Sequence, residues 1–172
     1  IYFVKSIFFK MFTETILHLA EQVLENCRAS GLHVVTAESC TGGLIAGCLT
    51  SVAGSSDVVD RGFVTYTNEA KQQMLGVPAI LFDTVGAVSE DVACAMAKGA
   101  IINSDSDISI SVTGVAGPGG GSNDKPVGLV HMAVGLKSGQ TSHERHVFQG
   151  NRTAVRMATV KHSLLLINKM LF

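Results

Sequence analysis

Tryptophan is absent from this 172-residue chain, tyrosine occurs twice and proline three times. Charge is scarce as well: charged residues make up 16%, and 13 Lys+Arg against 14 Asp+Glu leave a net charge of −1. So little charge beside 47% hydrophobic residues excludes a disordered or solvating chain, which cannot bury enough apolar surface to fold. The near-neutral balance excludes the overall basic field of a general nucleic-acid binder. No apolar run approaches the roughly 20 residues that cross a bilayer, so no membrane association is expected. The most apolar stretch, residues 1–12, is broken by Lys5 and Lys10 and lacks the small-residue cleavage site of a signal peptide. Met11 stands before a well-formed amphipathic segment and reads as a natural start. Residues 1–10 are then a non-native or disordered leader, and 11–172 one domain.

Cysteine is present without a pattern. Cys27, Cys40, Cys48 and Cys94 form no C-x-x-C, so the common zinc spacings are missing. Their even number admits a disulfide scaffold. A chain of this length needs no staples, however, and the apolar neighbours of Cys48 and Cys94 suit buried free thiols. A reduced, cytoplasmic setting is therefore favoured. No H-E-x-x-H or G-x-S-x-G element occurs, and neither a metal nor a cofactor is expected. His143 and His146 are three apart on an expected strand, so they face opposite sides and make no simple pair.

Glycine is what the chain has in excess. There are 18, where average usage gives about 12. Without a period or accompanying prolines they fit neither collagen nor a linker, and must occupy particular turns or sites.

The apolar pattern alternates between helical and strand periods. Ile16, Leu19, Val23, Leu24 and Cys27 mark a helix that Gly31 stops. Residues 32–37 read as a strand, 41–53 as a helix and 58–67 as a second strand. A short helix over 68–75 is capped by Thr67 or Asn68 and ended by Gly76 and Pro78. Ser89, followed by Glu90 and Asp91, caps a helix that runs to about Asn103. A strand over 108–113, a loop over 114–126, a strand pair at 127–136 and 143–148, and a final helix capped by Asn151 complete the chain. The alternation predicts an α/β fold: a three-layer α/β/α sandwich with a mixed, mostly parallel sheet.

Three segments at strand ends carry possible chemistry. The first is Glu38-Ser39-Cys40-Thr41-Gly42-Gly43. A serine between a strand end and two helix-opening glycines fits a nucleophile beside an oxyanion site, because backbone N–H groups at a helix start are unpaired. The alternative is a serine cap with glycines for tight packing. The second is Tyr66-Thr67-Asn68-Glu69-Ala70-Lys71. Lys71 is a general base if burial lowers its pKa, and otherwise a solvated surface lysine. The third, Thr113-Gly114-Val115-Ala116-Gly117-Pro118-Gly119-Gly120-Gly121, suits a backbone nest around an anion or else a flexible crossover. Arg152 and Arg156 are four apart on one helix face and fit a phosphate, a partner subunit or plain solvent.

Six strings occur in order: TAESCTGG (36–43), VTYTNEAKQQMLGV (64–77), GAVSEDVA (86–93), TGVAGPGGG (113–121), KPVGLV (125–130) and GNRTAVR (150–156). Together they resemble the CinA C-terminal domain family, in its stand-alone, PncC-type form. The enzymatic members are nicotinamide mononucleotide deamidases, and others are known as competence- or damage-inducible proteins. The resemblance implies hydrolysis of the carboxamide of nicotinamide mononucleotide to nicotinic acid mononucleotide and ammonia, with no metal. It places the nucleophile at Ser39, with Lys71 and Tyr66 completing the catalytic set and Tyr66 orienting Lys71 or passing a proton to ammonia. Thr41, Gly42 and Gly43 would then hold the oxyanion or substrate. Thr113, Gly114, Gly117, Gly119 and Gly120 would meet the nucleotide, and Arg152 and Arg156 its phosphate. The implied partners are a small nucleotide and further copies of the chain, the latter also suggested by the apolar tail over 163–172. A non-enzymatic nucleotide-binding module and a hydrolase of another small amide are the competing readings. Cys40 is a rival nucleophile.

Overall fold

A computed structural model describes residues 11–171; the expected leader over 1–10 lies outside the described residues. Helix α1 (Glu14–Ser30) opens with the Thr13 hydroxyl accepting from the Ile16 N–H and closes on Gly31 at φ 65°. Strand β1 (Val34–Glu38) is buried at every position. There follow α2 (Leu44–Thr50), β2 (Val59–Val64), α3 (Asn68–Leu75), α4 (Ala79–Thr84), α5 (Glu90–Ile102), β3 (Ile108–Gly114), β4 (Leu129–Leu136), β5 (Thr141–Val147) and α6 (Arg152–Leu171). Thr67, Ser89 and Asn151 cap α3, α5 and α6 through their side chains, as their positions in the sequence lead one to expect. Helix α4 has no counterpart in the sequence reading. The sequence marks Pro78 only as a stop, whereas a proline also starts a helix readily, because the N–H it lacks has no partner at that point.

The strands form one sheet in the order β2-β1-β3-β4-β5. Strands β2 and β3 both run parallel to β1, while β4 is antiparallel to β3 and β5 to β4. The sheet is thus mixed, with β4 alone reversed. Strand alternation divides the core in two. Val34, Ile108, Ile110, Val112, Met132 and Val134 pack with α1, α2 and α6 on one face. Val35 and Ala37 pack with Leu75, Val92 and Met96 on the other. Each such large apolar side chain contributes about 1.5–3 kcal/mol on burial.

Two features set where a site can form. Ser109, Ser111 and Thr113 on β3 donate hydroxyls to the carbonyls of Ala97, Ala93 and Ala87, at 2.8, 2.6 and 2.8 Å. These bonds satisfy buried polar groups and draw α5 and its leading turn close to the sheet. The C-terminal ends of β1, β2 and β3 then open together, as expected where strand order reverses direction about β1 in an open α/β sheet. The apolar tail is occupied inside the molecule: Leu164, Leu166 and Ile167 of α6 lie in the core that α1 shares. All four cysteines are free, with Cys94 only half-buried.

Candidate active site

Ser39 follows the last residue of β1, where alternation turns successive side chains to opposite faces. Glu38 points into the α2 layer, where its carboxylate accepts from Gly43, Ile45 and Ala46 N–H groups. Ser39 points into the α3 layer, where its Oγ lies 3.1 Å from Lys71 Nζ. Residues 32 positions apart in sequence therefore meet because β1 and β2 are parallel neighbours and α3 folds back from the end of β2.

Lys71 is 1% exposed and Ser39 9%. The lysine head is held by main chain: Nζ donates to Thr65 O at 2.9 Å and reaches Thr67 O at 3.5 Å. Burial lowers its pKa from the ordinary lysine value of 10.5, against weaker opposing effects of Cys40 and Glu69. A neutral amine fits this cage. Two N–H groups serve the carbonyls, and Ser39 Oγ lies within hydrogen-bond distance on the remaining side.

Cys40, next along the turn, is buried, and desolvation pushes its thiol up to about 12. A thiol at that value is a poor nucleophile at neutral pH, since the thiolate is the reactive form.

The cleft around Ser39 and Lys71 is lined also by Tyr66, Thr113, Gly114 and Arg152, all singled out in the sequence. Its remaining lining, Asn68, Ala87, Val88, Ala116 and Cys40, was not assigned to substrate there. Asn68 was legible only as a helix start, and Ala87 and Val88 only as part of the string GAVSEDVA.

Several expected roles change. Tyr66 does not orient Lys71: the carbonyls on either side of it do. Its own side chain is 57% exposed, and its hydroxyl accepts from Arg152 Nη2 at 2.8 Å. Gly42 N–H donates to Ser39 O and Gly43 N–H to Glu38, so neither amide is available to an oxyanion. The Thr41 hydroxyl likewise ends on Glu38, at 2.6 Å. Among the described residues no backbone carbonyl takes the N–H of Cys40 or Thr41. Arg156 Nη2 donates to Thr41 O at 2.7 Å, and its buried Nε has no hydrogen-bond partner among the described residues. Arg152 Nη1 donates to Gly117 O at 2.9 Å, which ties the glycine loop to the rim. Gly119 and Gly120 stand exposed on that loop, outside the cleft lining. Glu38 opens the first segment singled out in the sequence but received no role there, though a carboxylate closing an otherwise apolar strand was a signal for one.

Comparison with known proteins identifies the family. A nicotinamide-nucleotide amidohydrolase PncC from Escherichia coli K12 is 46% identical over 149 residues, 87% of this chain and 90% of that protein. A CinA-like protein from Geobacter sulfurreducens is 52% identical over 137 residues. The chain spans only 33% of that relative's length, and 36% of a 49% identical relative from Caldicellulosiruptor bescii. Among solved structures, the competence/damage inducible protein CihA from Agrobacterium tumefaciens superposes with a TM-score of 0.89 at 51% identity, over 91% of this chain and 96% of that one. Residues 16–171 match the CinA C-terminal domain, and the chain belongs to the CinA C-terminal domain family.

Proposed function

We propose that the chain is an enzyme, a nicotinamide-nucleotide amidohydrolase that converts nicotinamide mononucleotide and water to nicotinic acid mononucleotide and ammonia. The observation that carries this reading is the desolvated Lys71 Nζ 3.1 Å from Ser39 Oγ. A relative named for this activity, matched along nearly its whole length, supports it.

In this reading neutral Lys71 accepts the Ser39 proton as Oγ attacks the carboxamide carbon. The amides of Cys40 and Thr41 take the oxyanion. The tetrahedral intermediate collapses with loss of ammonia, the departing nitrogen receiving the proton of the Lys71 ammonium, directly or by way of the Tyr66 hydroxyl, which gives its own proton and takes that of Lys71. Lys71, neutral again, then deprotonates the water that hydrolyses the acyl-serine. The pyridinium ring withdraws electrons from the amide and eases the attack. Arg152 lines the cleft and, among the described residues, no carboxylate does, which suits an anionic substrate. Arg152 takes the phosphate, and Thr113 and Gly114 border the nucleotide. The free thiols suit the cytoplasm. The reading retains self-association on the family resemblance, since the apolar tail is buried within the chain; light scattering on the eluting protein tests it, with a monomer mass as the contrary result.

Ammonia release from nicotinamide mononucleotide, nicotinamide and NAD tests the whole. The mononucleotide should react far the best, because only it offers both the activated amide and a terminal phosphate. Equal turnover of free nicotinamide would overturn the nucleotide specificity, and binding without turnover would favour a silent module.

A further inference from the structure

The carboxylate of Glu38 is 0% exposed and lies outside the lining of the cleft, yet it gathers five donors. Oε1 accepts from the Thr36 hydroxyl at 3.1 Å and the Ala46 N–H at 2.8 Å. Oε2 accepts from the Thr41 hydroxyl at 2.6 Å and from the N–H groups of Gly43 and Ile45, each at 3.0 Å. A buried carboxylate is costly unless its lone pairs are filled, and here they are. Capping a seven-residue helix does not require this. A serine or aspartate at the cap position would satisfy α2, but that position is Gly43, which offers no side chain.

The donors come from the strand before Ser39, the turn after it and the helix beyond, so one side chain closes the loop that presents Ser39. The same residue also reaches the lysine. Glu38 O accepts from Thr65 N–H at 2.8 Å, and Thr65 O is the acceptor that holds Lys71 Nζ. From the opposite side, Arg156 fastens Thr41 O.

We propose that Glu38 is a positioning residue that holds Ser39 in line with Lys71, its side chain fixing the serine turn and its carbonyl fixing the strand end that holds the lysine. The Thr41 hydroxyl belongs to this support and is not itself a substrate contact. The inference rests on the reading of Ser39 as nucleophile, and deepens it.

The test uses the full chain, with kinetics on nicotinamide mononucleotide and, separately, the rate at which a fluorophosphonate modifies Ser39. Glu38→Gln keeps the shape but replaces one acceptor by an NH2 group that faces other donors. It should lower kcat by about 100-fold, the scale of an ångström-sized misplacement, with KM within about threefold. Serine labelling should slow in parallel. The acid limb of the pH profile should keep its midpoint, because Glu38 is not among the groups that set the Lys71 pKa. If Glu38→Gln does not fold, Thr41→Val, which removes only the shortest bond, should cut kcat about tenfold without raising KM. Glu38→Gln with a lower melting temperature but wild-type kcat per folded molecule would overturn the proposal, as would Thr41→Val that raises KM and spares kcat. The two readings fail separately. A wild type inert toward the mononucleotide, whose Ser39 still labels fast and slows in Glu38→Gln, sinks the substrate and keeps the positioning role. Mononucleotide turnover unaffected by Glu38→Gln does the reverse. A wild type that neither turns over nor labels at Ser39 overturns both.

Discussion

Lys71 is surrounded by carbonyls rather than carboxylates, and this decides its chemistry. A carboxylate partner would have stabilised the ammonium and held the pKa up; desolvation does the opposite. The sign for activity follows. The base is active when neutral, so kcat/KM should fall as pH drops through the lowered lysine pKa and level off above it. Replacing Lys71 by Met should remove that limb and cost about 10²–10⁴-fold in kcat. Ser39→Ala should abolish acyl-enzyme formation; undiminished ammonia release in that variant would exclude Ser39. Cys40→Ala should leave kcat within about threefold, because a thiol raised to about 12 supplies almost no thiolate at neutral pH. At this scale the sequence singled out the serine and the lysine that meet in the cleft, since a serine at a strand-to-helix turn and a lysine one helix turn past a strand are local patterns. It did not reveal their supports. The partners of Glu38 and Arg156, and the carbonyl cage of Lys71, arise from chain segments that meet only in the fold.

The helices were legible where a cap and an apolar stripe coincide, as in α1, α3, α5 and α6. Helix α2 is shorter than its apolar run, because its start is set by Glu38 rather than by a local cap. Helix α3 is held against α5 by a close approach. A methyl group added at Gly99 would sit 1.9 Å from Leu75 O, so the helices must separate if Gly99 is enlarged. Gly99→Ala should destabilise the fold by about 1–3 kcal/mol or more, read by chemical denaturation. It should also lower kcat in the folded fraction, because the displaced helix carries Lys71. A change in stability with kcat intact would uncouple α3 packing from catalysis.

Across the molecule, the sheet carries one further titrating centre. His131 on β4 is 3.0 Å from His143 on β5, with Glu90 at 3.4 Å from His143. Burial first, then the charges of His143 and Arg145, hold the His131 pKa down at about 4 against 6.5. The unfolded chain therefore binds the proton that the folded one refuses. Stability should be complete above about pH 6.5 and decline as pH falls to about 4, by about 3 kcal/mol at most from this group. Unfolding free energies measured across that range should slope less in His131→Asn; an unchanged slope would assign the acid loss elsewhere. This pairing was not legible in the sequence, because strand register decides which histidines meet. The separation of His143 from His146 was legible, since it needs only the two-residue period of a strand.

Composition and periodicity alone determined the layered α/β class, the order of most elements, and a serine, a lysine and a glycine-rich loop at strand ends. Those are local properties, set by hydrophobic spacing, caps and turns. Tertiary structure decided which of the marked residues share a cleft: Ser39 and Lys71 through parallel pairing of β1 with β2, and Arg152 through the return of α6 to the rim. It also tied the amides of Gly42 and Gly43, the Thr41 hydroxyl and Arg156 into the turn around Ser39. The physical reason is that a hydrogen-bonding group serves whichever partner folding brings within about 3 Å, and the identity of that partner is not written in neighbouring residues.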